Sequence, residues 1–551
     1  MSFKQAGRWL IAFAAIANSF AQTPRRNIVQ LNQGWSQREV EFYNHASEGT
    51  NLAPLEFVLN LPDPARPTTL FKDKLAREYG FIPSEKSELN PYGLPVGFAI
   101  DERPKAMGDR PYLGLTCAAC HTRQLTYGKW ILPVHGGPAL VDMPRFKQDL
   151  FDAFGQLLTK PDLASRFARG VLQHAPSADE TQALLAEVRE FTGPIALTAK
   201  LQAGVNMPNF GPGNLNALSQ GNYNNAALVG WFISKGLMPP SPTPPLLPAF
   251  EGSVNYPSMW FAPHDDWAQW FAGIDDPGPR NWIQSVSTSE VRPPKMIAAL
   301  GPRSLLASIH FDNIAGIQRS LELLRTPQWP EEVLGSLKRN LVKEGKAIYD
   351  EQCKNCHFHK PLPPNSLGVV FTRRPAVDVG TDPTAYKQFA VNAADRVEGL
   401  KRISSQIIAL RTAQLQQQVG AEQAENYLKF YSKGRPNEYR LAQDDYLPDV
   451  KTPKSGASYW ASPMEGIFAS SPYLHNGSVR TLWDLLTPPE KRPKKFHTGS
   501  AEYDVEGVGL KDSGLFLYDT SEPGKSNAGH EFGTELSMPK KMALVEYLKS
   551  I

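Results

Sequence analysis

The chain has 551 residues, 41% hydrophobic and 21% charged, with a formal net charge of +3. This composition belongs to an ordinary soluble protein rather than a disordered one, and a charge so close to zero leaves no electrostatic footprint for nucleic acid. The length suffices for two or more domains, and 48 prolines with 42 glycines predict long irregular connections.

Residues 1–21 read as a secretory signal: Lys4 and Arg8 form the charged start, Trp9 to Ala17 the apolar run, and Ser19-Phe20-Ala21 a small-x-small cleavage site before Gln22. The alternative, a membrane anchor, has too short an apolar run to cross a bilayer, and no other stretch approaches a spanning length. The expected location is periplasmic or secreted. Residues 22–110 are rich in turn formers, notably Tyr43 to Gly49 and Asn90 to Phe98; His45 there is a candidate iron ligand, although such a histidine is more often a surface or cap residue.

Next comes Cys117-Ala118-Ala119-Cys120-His121, repeated downstream as Cys353-Lys354-Asn355-Cys356-His357. Cys-x-x-Cys-His is the attachment pattern of c-type haem. Two thiols one helical turn apart can add to the porphyrin vinyl groups, and the adjacent imidazole then reaches the iron. With four cysteines and eleven histidines in the chain, one chance match is expected only about 4 × 10⁻⁴ times, so two copies are a signal. A Cys₄ zinc site or two redox dithiols would each leave both histidines unexplained. The expected cofactors are therefore two covalently bound haem c groups, held by Cys117, Cys120, Cys353 and Cys356, with His121 and His357 as iron ligands. Haem attachment outside the cytoplasm agrees with export.

Downstream, Leu140, Met143, Phe146, Leu150, Phe151 and Phe154 recur at helical spacing, and further helices are expected over 161–174 and 178–191. Residues 203–263 break all periodicity; their aromatic content favours an ordered excursion around the first haem. Helices return over 310–350, and Pro327-Gln328-Trp329-Pro330 marks a domain boundary. Residues 393–432 read as an amphipathic helix carrying Leu400, Ile403, Ile407, Leu410 and Leu415, and a C-terminal helix starts near Ser537.

The Gly345-x-x-x-Tyr349 helix entering the second motif resembles the first helix of a class I cytochrome c, and Tyr547-Leu548 resembles the pair on its last helix. That resemblance places the sixth iron ligand seventeen residues before Tyr547, at His530. Met538, Met464 and His475 are the competitors, of which Met538 is expected in the core and His475 as a turn histidine holding its loop against the haem edge. No His or Met after His121 stands in an equally persuasive position; His135, His174, His264 and Met259 match no pattern.

The mature chain resembles the dihaem c-type oxygenases typified by bacterial rubber oxygenases, within the dihaem cytochrome c peroxidase superfamily. The stretches that carry the resemblance are Leu94 to Phe98, Gly114 to His121, Gly136 to Leu140, Trp267 to Trp270, Pro472 to Ser478 and Gly529 to Gly533. The resemblance implies that Trp270 relays electrons between haems and that distal-pocket residues follow among Arg280 to Ser285 and Glu290, with Gln284 and Glu290 as catalytic candidates. Two departures stand out: Trp-Asp-Gly is replaced by Trp270-Phe271-Ala272-Gly273, and the bulky apolar residue over the oxygenase haem by Ser285.

The expected architecture is mainly α with long irregular loops: a haem domain over 22–330 and a cytochrome c-like domain over 331–551. The expected function is oxygenation or cleavage of an apolar unsaturated substrate by O₂ at the first haem, with the second as bis-His relay. A peroxidase acting on H₂O₂, and a non-catalytic electron carrier, remain open. A small electron-donor protein is the expected partner, with no nucleic acid and no stable membrane span.

Overall fold

The computed structural model describes residues 27–102, 110–202, 209–215, 252–265, 307–358, 393–425 and 457–551, with parts of 267–289 and 360–390. The signal segment, Arg280, Glu290 and most of 203–251 lie outside the described residues. Among the described residues no helix is long and apolar enough to cross a membrane.

Mainly α is not what the chain forms. Helix accounts for 42% of it and strand for 15%, in several small sheets, so the fold is mixed α/β. The largest hairpin pairs Thr122–Tyr127 with Trp130–His135, immediately after the first motif, and Asn27–Ile28 adds a parallel edge to it. Its turn is Gly128-Lys129, with Gly128 at φ +55°, which suits a two-residue hairpin loop. A second sheet sets Tyr112–Leu115 between Ala53–Pro54 and Phe98–Asp101. The other strands are short; some pair locally, as Tyr503–Asp504 does with Gly509–Leu510, and others over longer separations, as Asn214–Leu215 does with Val254–Asn255. Strands of two to six residues carry too little alternation to register as a period.

The helices follow their apolar patterns. Met143–Leu157 starts at Asp142, whose side chain accepts the Arg145 N–H, and buries Met143, Phe146, Leu150 and Phe154. Phe146 meets Phe71, Tyr79, Phe81 and Phe98 edge-on or tilted, so this core is aromatic. Pro161–Leu172 and Ala178–Gln202 complete that layer. Ala393–Val419 buries Ile407 and Leu415.

A second apolar core gathers Leu125, Leu132 and Val134 with Met259 and Trp260 from the first half of the chain, and Ile348, Tyr349, Phe468, Leu544 and Leu548 from the second. Within it Arg339–Gln352 crosses Met538–Lys549, the closest helix pair of the structure. A Cβ on Gly345 would lie 1.9 Å from the Ala543 carbonyl oxygen, so only glycine permits that crossing. Ser537 stands at the N-cap position of the last helix as its sequence suggested, though its side chain makes no capping bond, and Met538 is 59% exposed rather than in the core, because it occupies the first turn on the solvent side.

Candidate haem centres

Each Cys-x-x-Cys-His motif folds into one tight turn. At the first, the Cys120 and His121 N–H groups donate to the Cys117 carbonyl at 3.2 and 2.9 Å; at the second, those of Cys356 and His357 donate to the Cys353 carbonyl at 3.1 and 3.0 Å. The His121 ring is tied through Nδ1 to the Pro257 carbonyl at 2.8 Å, and the His357 ring through Nδ1 to the Ser462 carbonyl at 2.7 Å. An Nδ1–H held by a carbonyl leaves Nε2 as the lone-pair nitrogen, the tautomer a metal needs. A helix tyrosine supports each turn: Tyr43 Oη donates to the His121 carbonyl at 3.1 Å and Tyr349 Oη to the His357 carbonyl at 3.2 Å. Two sites some 230 residues apart in sequence thus share one construction.

Burial pushes the Cys120 thiol up to about 11 and the Cys353 thiol to about 12. A reactive dithiol needs the opposite shift, so that reading of the cysteines loses support. Among the described residues no group of three or more His, Cys, Asp or Glu side chains is placed to hold a single metal ion.

The two centres differ in what the structure places beside the histidine. His530 stands opposite His357 with ring centres 6.2 Å apart and planes inclined by 58°. Two imidazoles bound to one metal through bonds of about 2 Å have ring centres about 6 Å apart, so the spacing fits a bis-imidazole iron. Burial keeps both rings neutral: His357 is shifted down, and His530 is lowered to about 3 by burial, then by His357 and Arg492. Cys353, Cys356, His357 and His530 line one cavity of about 190 Å³ with Val377, Leu482, Leu486, Leu544 and Phe532, an apolar wall suited to a porphyrin face. Its polar side carries the buried His475 Nε2, which has no protein partner among the described residues and suits a carboxylate that a porphyrin brings.

The side chains considered as sixth ligands of the first centre lie in varied surroundings. His45 is buried, not a surface cap: its Nδ1 meets the Phe98 carbonyl at 2.9 Å and its Nε2 the Ser84 hydroxyl at 3.0 Å. His135 sits opposite Thr122 in the hairpin, His174 lies exposed beside Glu180, His264 is exposed, and Met259 is in the second core.

Trp270 donates Nε1–H to the Asn255 carbonyl at 2.8 Å, two residues before Pro257, the partner of His121. It lines the same cavity as His357 and His530 and packs on Tyr459. Ser285 is buried and donates to the Glu48 carbonyl at 2.6 Å, while Gln284 beside it is half-buried. Glu48 is a site residue that sequence reading missed. It is 6% exposed, and its carboxylate accepts the Cys117 N–H at 2.5 Å. It lies in a turn-rich stretch with no motif to single it out.

His475 stacks on Tyr459 with ring centres 3.8 Å apart and planes at 11°. Burial lowers it to about 4, although Asp382 pulls the other way. The native state therefore binds fewer protons at this site than the unfolded chain between about pH 4 and 6.5, so stability rises with pH across that window. Urea unfolding of a His475→Gln variant should lose about 1.4 kcal/mol per pH unit of that slope. An unchanged slope would show that the ring does not titrate on unfolding.

Residues 458–497 match a family model described as RoxA-like, cytochrome c-like. Over 589 aligned positions the chain is 31% identical to the uncharacterized protein y4iJ of Sinorhizobium fredii, covering 95% of this chain and 93% of that protein. A shorter likeness, 35% identity over 104 residues, links it to the uncharacterized protein y4iM of the same organism, covering 17% of this chain and 24% of that one.

Proposed function

From the premise that the chain belongs to the family of Sinorhizobium fredii y4iJ and carries a RoxA-like, cytochrome c-like segment, we propose that it is an exported dihaem c-type oxidoreductase that oxygenates or cleaves an apolar unsaturated substrate. The observation that carries this reading is the His357–His530 pair at 6.2 Å. An iron held by two imidazoles has no coordination position left for a substrate and is suited to passing electrons. The other motif is then the place for chemistry.

Cys117 and Cys120 would anchor the first haem with His121 as its ligand, and Cys353 and Cys356 the second with His357 and His530. When bound, the first haem supplies O₂ binding and one-electron chemistry. The protein's own residues do the rest. Pro257 and Ser462 fix the ligand tautomers through their carbonyls. Trp270, joined to His121 through Asn255–Pro257 and facing the His357–His530 cavity, serves as the electron relay. Gln284 and Ser285 belong to the substrate side.

A peroxidase reading needs a group that takes a proton from one oxygen of H₂O₂ and returns it to the other; its candidate, Glu290, lies outside the described residues.

CO added to the dithionite-reduced protein should perturb about half of the Soret intensity, one haem of two. No perturbation would reject both enzymatic readings and leave an electron carrier. Product analysis with a polyisoprene or unsaturated lipid under O₂, against H₂O₂ turnover with a reduced cytochrome, separates the oxygenase from the peroxidase.

A further inference from the structure

His530 occupies a conformation that its residue type disfavours. Its φ is +48°, in the left-handed region that a side chain with a Cβ rarely enters. Something must hold it there.

The backbone on the N-terminal side is held by packing. The His530 N–H donates to the Val379 carbonyl at 2.9 Å, and a Cβ on Gly529 would lie 2.3 Å from the Gly380 carbonyl carbon. On the carbonyl side the loop is held by one residue. Arg492, 2% exposed, donates Nη1–H to the carbonyls of Asn527 and Gly529 at 2.6 and 2.9 Å, and Nη2–H to those of His530 and Leu485 at 3.0 and 3.1 Å. Its Nε–H takes the Thr487 carbonyl at 2.9 Å. A guanidinium has five N–H donors, and here five backbone carbonyls use them. Three belong to the loop that presents His530 and two to the end of the Leu482–Leu485 helix, whose Leu482, Leu485 and following Leu486 wall the cavity.

We infer that Arg492 is a positioning residue for the second haem's sixth ligand: a five-point clamp that fixes the 527–530 loop in its strained conformation and keeps His530 on the iron. A lysine can neither supply five donors nor span both segments in one plane, so the charge alone does not suffice. This rests on the reading of His530 as ligand, and the experiment separates the two.

Three variants of the full-length holoprotein, Arg492→Lys, Asn527→Ala and His530→Ala, are compared by low-spin absorption and by the stopped-flow rate of CO binding to the second haem after reduction. The Asn527→Ala change removes the side-chain bond to the Pro493 carbonyl and the one accepted from Lys494 Nζ, so it loosens the same loop and keeps the buried Arg492 cation. With Arg492→Lys, the second haem, closed to CO in the wild type, should bind it at a measurable rate, as expected when charge-assisted hydrogen bonds to the loop are lost. Asn527→Ala should show a smaller increase in the same direction, and it decides the matter if Arg492→Lys does not fold. Both variants should keep wild-type reactivity at the first haem, which a general loss of structure would not leave intact. If both stay closed to CO like the wild type while His530→Ala opens the site, the clamp is wrong and the ligand stands. If His530→Ala leaves the second haem low-spin and closed, the ligand reading falls and the clamp with it.

Discussion

Replacing Cys353 and Cys356 by alanine is expected to give a protein with half the covalent haem of the wild type, still reactive with CO once reduced. Replacing Cys117 and Cys120 should leave the other half, silent toward CO and devoid of turnover. The reason is the shared construction of the two turns and the different partner at each. Both motifs aim a carbonyl-tethered imidazole from a Cys-x-x-Cys turn, and His357 has His530 across from it at a ring spacing that fits a common metal. Without Cys353 and Cys356 the first haem loses its electron supply, so steady turnover should stop while a single reduced cycle with O₂ survives. Haemochrome absorbance and intact mass measure the haem, and CO difference spectra identify which one remains. Full covalent haem in either double mutant, or CO reactivity lost with Cys353 and Cys356 and kept without Cys117 and Cys120, would overturn the assignment of roles.

The second large effect concerns the helix crossing behind the second centre. Gly345→Leu should destabilise the protein by about 3 kcal/mol or more, since the side chain would have to displace backbone rather than a flexible side chain. Its Cβ would sit 1.9 Å from the Ala543 carbonyl oxygen and 2.8 Å from the Tyr547 Cβ. Parting these helices also breaks the Tyr349–Tyr547 contact, ring centres 5.2 Å apart, and Tyr349 is the residue whose hydroxyl supports the His357 turn. The low-spin signal of the second haem should therefore melt earlier than the first haem's spectrum. Gly155→Ala is the control. Nothing lies within 4 Å of a Cβ there, and its helical backbone is ordinary, so that variant should gain roughly 0.4–1 kcal/mol. Equal melting of Gly345→Leu and wild type would show that the crossing tolerates a side chain and that the close approach has no energetic weight.

What could be read from the residues was local. Cys-x-x-Cys-His is complete within five positions, and its chemistry depends on nothing farther away. The helices Met143–Leu157 and Arg339–Gln352 carry a 3.6-residue period over several turns, so packing had only to accept them. The loop that carries His530 could be located by counting back from Tyr547, although its role as ligand is a proposal. The hairpin after His121 was not read, though Gly128-Lys129 between two strand-like runs was the available signal. Missing it, and several two-residue strands with it, turned a mixed fold into a mainly α expectation.

Tertiary structure alone decided how the ligands are oriented and held. His121 leans on the carbonyl of Pro257, His357 on that of Ser462, and Arg492 on five carbonyls from two segments. Every residue carries a carbonyl, so an acceptor of this kind leaves no mark in the choice of side chain. The sequence determined which side chains can meet iron; only the folded backbone determined which carbonyls would fix their direction.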